Sequence, residues 1–238
     1  MRLFKKKKKT ITPVTLILFD ETSEQIVSHN TKYLKNLIIN GGGNGNIVRI
    51  HKKCKLRNVH INFGYKCFNS MCILDTTEEN RGLDLYVSFS SGCNNELYIG
   101  KRTSMYDTKI WLGDGVKCFI GDDCLFSCET IIRATDGHTI LDKNTGEIIN
   151  KFKRDINIGN HCWIGVRSII NKNVQLSHDT IVGSGSVVTK SFNESYIAIA
   201  GNPAKIIKEN VIFDWDNISD YNERSSLPPP TNPSVSED

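Results

Sequence analysis

The chain has 238 residues and a formal net charge of +4. Arg2 and Lys5 to Lys9 exceed that surplus on their own and leave the remainder at −2, which is not the spread of Lys and Arg along a face that marks a nucleic-acid binder. A hydrophobic share of 39% suits one large globular domain or two small ones, and no stretch approaches the roughly 18 apolar residues of a membrane helix.

Residues 1–9 read as a basic, disordered tail. Its remaining potential role is weak contact with an anionic membrane surface, where a polybasic segment is attracted. The apolar run Val14–Phe19 resembles a leader core only superficially. It is short, and Asp20-Glu21 follows with no small-residue cleavage site, so the expectation is a cytoplasmic protein. Residues 10–98 read as a β-rich region, with irregular early coils as the alternative. Gly41 to Asn46 breaks the chain there, and short β-like pieces such as Ile47–Ile50, Val59–Ile61 and Leu83–Phe89 alternate with turns. The eight cysteines contain no CxxC pair, so they are expected as reduced core residues rather than a disulfide framework or zinc ribbon. The end of the chain, 214–238, is Ser/Pro-rich in its last stretch and reads as a tail that is largely unfolded.

The informative feature is an internal repeat. Stepping by six from Ile158 gives Ile164, Ile170, Leu176, Val182 and Val188, all aliphatic. Four residues after the first five of these stand Cys162, Ser168, Val174, Thr180 and Ser186, all small. Gly follows the aliphatic at 159, 165 and 183, and also at 100 and 121. Six is not a helix period; it fits a short strand and a corner, three of which close one triangular coil. The aliphatic then points into the prism, the small residue occupies a corner, and Gly after the aliphatic is expected to permit the bend.

The phase breaks between Ile132 and Ile156, around polar, turn-rich sequence that includes Thr135-Asp136-Gly137-His138. An excursion of this length from a compact repeat is more often functional than idle, so His138 is a candidate general base, and Asp136 a candidate to orient its imidazole. His161 and His178 fall at turn-like steps of the hexads and are expected to face solvent. No HxxxxH pair, P-loop or GxGxxG turn is present, so neither metal nor nucleotide-cradle chemistry is expected.

The segments NIGNHCWIG, VGSGSVVTK and AGNPAKIIK, with IGDDCLFSCETIIRATDGHTILD upstream, resemble the hexapeptide-repeat acyltransferases, and among them those that O-acetylate capsular polysaccharide or lipopolysaccharide. The resemblance spans about 99–213. It implies an all-β, left-handed parallel β-helix over 99–213 with a protruding loop around 133–155, and an acetyl-CoA-dependent O-acetyltransferase acting on a glycan or sugar acceptor. By residue, it implies His138 as base and Trp163 flanking the acyl-carrier groove; backbone N–H groups around Trp163-Ile164-Gly165 are candidate oxyanion donors beside it. Ser184 matches a contact to the pantetheine arm, and Lys190, Lys205 and Lys208 match positions near the nucleotide end. It also implies a homotrimer with active sites between subunits. Two other readings remain open at this stage: N-acetylation of a nucleotide-linked amino sugar, and a non-catalytic β-helix scaffold. Residues 1–98 match no family and are where acceptor recognition is looked for.

Overall fold

The computed structural model describes residues 14–27, 34–77, 81–151 and 154–226. The Lys5–Lys9 run and the Pro-rich end lie outside the described residues. Among these, twenty strands and one helix are present. The strands stack almost entirely in parallel, in one 8-stranded and one branched 12-stranded sheet, as the left-handed parallel β-helix that the family resemblance implies.

The repeat maps directly onto the coils. One coil runs through Ile156–Ile158, Trp163–Ile164 and Ile169–Asn171, one short strand per face. The next coil repeats this eighteen residues on, with Ile158 beside Leu176, Ile164 beside Val182 and Ile170 beside Val188. All six aliphatics of the hexad series are buried, as are Cys162, Ser168, Val174, Thr180 and Ser186. An aliphatic from each face meets those of the coils above and below, so apolar area is removed from water continuously along the prism axis.

The corners correct one expectation. The bends fall at His161, Arg167, Asn173, Asp179 and Gly185, six residues apart, with φ of 55°, 58°, 66°, 55° and 70°. The glycines that follow the aliphatics are needed for another reason. A Cβ on Gly159 would stand 2.5 Å from the amide nitrogen of His178, and one on Gly165 2.6 Å from the carbonyl oxygen of Val182. They allow neighbouring coils to close, and the turn is made two residues later.

The same faces continue through the first hundred residues with longer strands. Leu56–Phe63, Leu83–Phe89 and Ser104–Leu112 have 8, 7 and 9 residues. The last of these bends over a corner: Ser104-Met105 pairs with Leu125-Phe126, and Lys109–Trp111 with Ile131–Arg133. Their interior holds larger side chains, including Phe63 and Phe89 stacked with ring centroids 4.7 Å apart. A short antiparallel strand, Glu24–Val27, closes the first edge.

At the other end the chain turns back. Ala204–Glu209 pairs antiparallel with Ile197–Gly201. The following residues then return along the outside of the prism: Phe213 packs on His161 and Trp163, and the carbonyl of Trp215 accepts a hydrogen bond from Arg81 at 3.1 Å. Ile218–Ser226 is helical, in a segment that composition alone reads as an unfolded tail. Cys93 and Cys128 are exposed, so not every cysteine is a core residue, although all eight are free.

Candidate active site

The excursion leaves the third face after the buried Ala134 and returns at Asp155. It forms a hairpin, with Leu141 bridging Ile148 and the amide of Ile149 donating to the carbonyl of Ile140 at 3.0 Å. Its tip is closed by Asp142, whose carboxylate accepts from the amides of Asn144 and Thr145 at 2.8 Å each. This is an Asx-type turn supplied by the local sequence. The neck is pinned to two coils. Below, the Thr135 hydroxyl donates to Asp114 at 3.1 Å. Above, the amide of Arg154 donates to the Asn173 side chain at 3.1 Å.

His138 stands exposed on this hairpin. It lines a cleft of about 420 Å³ together with Asp114, Thr135, Asp136, Asn150 and Lys172. Asp136 does not hold its imidazole. The Asp136 carboxylate accepts from Asn150 at 2.7 Å and from the Lys172 ammonium. Partial burial opposes its charge, but these hydrogen bonds prevail and hold the carboxyl below the ordinary 3.8. Lys172 and Asn150 were missed in the sequence because nothing in their spacing connects them to residue 136.

Trp163 lies elsewhere, on the second face. It is 38% exposed, and its indole N–H donates to the Ser127 hydroxyl at 3.1 Å. Register places it in an outward column, Leu125–Trp163–Ile181–Ala198–Lys208. At one strand spacing per step, Trp163 and Lys208 are about 15 Å apart along the axis. Ser184 and Lys205 are exposed near the same end; Lys205 pairs with Ala200, and a Cβ on Gly183 would reach the Ala200 Cβ at 2.9 Å. Lys190 lies over the Phe192 ring, 5.2 Å from its centroid. The Gly165 amide donates to the Val182 carbonyl at 2.8 Å, so this N–H is engaged in the ladder and is not free to serve an oxyanion.

The remaining groove beside Trp163, about 860 Å³, is walled by Ile181 and by Ile212, Phe213 and Asp214 of the returning segment. Phe213 gave no signal in the sequence, because it follows the last recognisable repeat. It stacks on His161 with centroids 4.3 Å apart. His161 is therefore less open to solvent than its turn position suggested, and its Nδ1 meets Asp179 at 2.6 Å. His178 meets the other oxygen of Asp179, also at 2.6 Å. Burial works against the Asp179 charge, and the two imidazoles outweigh it and lower its pKa. Burial pushes the Cys118 thiol up to about 12 and raises Cys124 as well, which suits space-filling and not nucleophilic thiols. Among the described residues no group of three or more His, Cys, Asp and Glu could hold a metal ion.

With repeat, excursion and outward column in place, the chain belongs to the hexapeptide-repeat acyltransferase family. It is 39% identical over 171 residues to a polysialic acid O-acetyltransferase of Neisseria meningitidis, covering 72% of this chain and 76% of that protein. It is 35% identical over 119 residues to a polysialic acid O-acetyltransferase of Escherichia coli O1:K1 / APEC, covering 50% of this chain but only 38% of that protein. The crystal structure of the polySia-specific acetyltransferase NeuO superposes with a TM-score of 0.53 at 25% identity, over 80% of this chain and 99% of that one. No family model matches the chain.

Proposed function

We propose that the protein is an O-acetyltransferase that moves an acetyl group from acetyl-CoA to a sugar hydroxyl of a capsular or surface polysaccharide. The observation that carries this reading is the exposed His138 at the wall of a cleft, in a chain whose relatives are polysialic acid O-acetyltransferases.

In this mechanism the neutral His138 imidazole takes the proton of the acceptor hydroxyl as its oxygen attacks the thioester carbonyl carbon. The tetrahedral intermediate collapses by breaking the C–S bond, and the imidazolium returns its proton to the departing CoA thiolate. No acyl-enzyme is needed; the buried thiols raised by desolvation are poor nucleophiles. The donor lies along the outward column, with Trp163 beside the reacting end and Lys208, Lys205 and Lys190 toward the phosphates. Gly165 contributes a close approach of coils, and Ser184 a turn beside the arm.

The working unit in this reading is a homotrimer with the site between subunits. Two observations support it. The clefts at His138 and Trp163 share no lining residue, which suits a base and a donor face contributed by different chains. The hairpin also exposes Ile140, Leu141, Ile148 and Ile149, each at least 46% accessible, an apolar set suited to a neighbouring chain. A mass-spectrometric screen of polysaccharides, oligosaccharides and nucleotide-linked amino sugars with acetyl-CoA tests the reading. Acetylation of a glycan hydroxyl is the expected product. Acetylation confined to an amine would replace the O-acetyl assignment, and no acetyl-CoA turnover at all would leave a scaffold.

A further inference from the structure

Asp136, expected from the sequence to orient the base directly, is held by other groups, and they surround the root of the excursion. The Lys172 ammonium reaches from the coil above to the Asp136 carboxylate and to the carbonyl of Asn150 at 2.7 Å. The Asn150 side chain then connects the two strands of the hairpin. Its amide nitrogen donates to Asp136 at 2.7 Å and to the carbonyl of His138 at 2.8 Å, and its oxygen accepts the amide of Ile140 at 2.9 Å. Residues 136, 138 and 140 on one strand are thereby fastened to 150 on the other, and both strands to Lys172.

We infer that Lys172, Asn150 and Asp136 form a latch that fixes the His138 main chain, and so sets where the imidazole stands relative to the acceptor. This deepens the reading in which His138 is the base, and rests on it. The three are positioning residues: none has to touch the acceptor, and Asp136 acts through the backbone at 138 and not on the ring. The physical reason is leverage. The hairpin is solvent-exposed along most of its length, and its own tip contacts shape the hairpin without tying it to the prism. Lys172 is well shielded at its root, with a side chain 21% exposed against 36% for Asp136. A hydrogen bond made there constrains the whole arm, and a displacement of about 1 Å in a reacting group can cost on the order of 10²-fold in rate.

The test uses the full chain with Lys172→Met, Asn150→Ser and Lys172→Arg, read by steady-state kinetics, amide exchange over 137–149 and thermal unfolding. For Lys172→Met and Asn150→Ser, kcat should fall by about 10- to 100-fold with the KM for acetyl-CoA unchanged. Amides of 137–149 should exchange faster while the unfolding midpoint stays near wild type. Lys172→Arg, which keeps the charge and the donors, should restore most of kcat. Wild-type kcat and wild-type exchange in both latch variants would overturn the inference. So would equal losses in all three variants that follow the unfolding midpoint, because Lys172 would then only support the fold. His138→Ala is carried in parallel: full turnover there would remove the base assignment, while the exchange data would still decide whether the latch holds the hairpin.

Discussion

The first and second halves of the prism solve the same stacking problem with different sequences. From Ile156 to Val188, strands have two or three residues, coils repeat every eighteen, and each face offers one aliphatic of the hexad series to the interior. Before Leu112, strands run to nine residues and bury alternate side chains, as in Leu83, Leu85, Val87 and Phe89. Coil length there is irregular: Ile61 pairs with Val87, twenty-six residues on, and Val87 with Ile110, twenty-three on. The tight half has no slack and places its chemistry-bearing groups on corners, an outward column and one excursion. The wide half carries bulk in its interior, including the Phe63–Phe89 pair.

That difference can be probed by substitution. The largest expected effect is in the wide half. Phe89→Ala removes a fully buried ring and should destabilise by about 3–5 kcal/mol. In the tight half Ile170→Val, also fully buried, should cost only about 0.5–1.5 kcal/mol. Chemical denaturation of both variants measures the contrast, and equal losses would break it. Next come the glycines. Gly159→Ala forces a Cβ against the coil above and should cost about 1–3 kcal/mol, as overpacking does. Gly185→Ala meets nothing within 4 Å but must adopt a φ of 70°, a strain of about 1–2 kcal/mol.

The smallest effect is electrostatic. The folded pKa of Asp179 lies below the ordinary 3.8 because His178 and His161 outweigh its burial. Its contribution to stability is therefore complete above 3.8 and is lost as pH falls through the lower folded value. Wild type should lose stability more steeply than Asp179→Asn on acidification below 3.8, measured as unfolding midpoint against pH. Parallel curves would remove Asp179 from the support of the second face.

The same contrast explains how much could be read in advance. Ile158 to Val188 announces its structure because each six-residue side buries the aliphatic and the small residue four positions later, so the interior is written as a period. In the wide half, alternation within long strands gives only a β signal, and the bend of Ser104–Leu112 over a corner has no residue pattern of its own. At the site, His138 is visible as a titratable group in a break of phase, and Trp163 through the WIG segment. Lys172, Asn150 and Phe213 were not legible. Their roles come from contacts between segments far apart in sequence, Lys172 with Asp136 and Phe213 with His161. The Gly165 amide shows the reverse: it is expected as an oxyanion donor, and the ladder between coils has already engaged it.

The central claim is that the excursion supplies the base and the tight coils supply the donor face. Turnover of His138→Ala with acetyl-CoA and a polysaccharide acceptor tests it most directly, alongside acetyl-CoA binding by calorimetry. The account predicts a fall in kcat of about 10²- to 10⁴-fold with unfolding and acetyl-CoA binding unchanged. Turnover close to wild type, in a variant that binds acetyl-CoA normally, would contradict it.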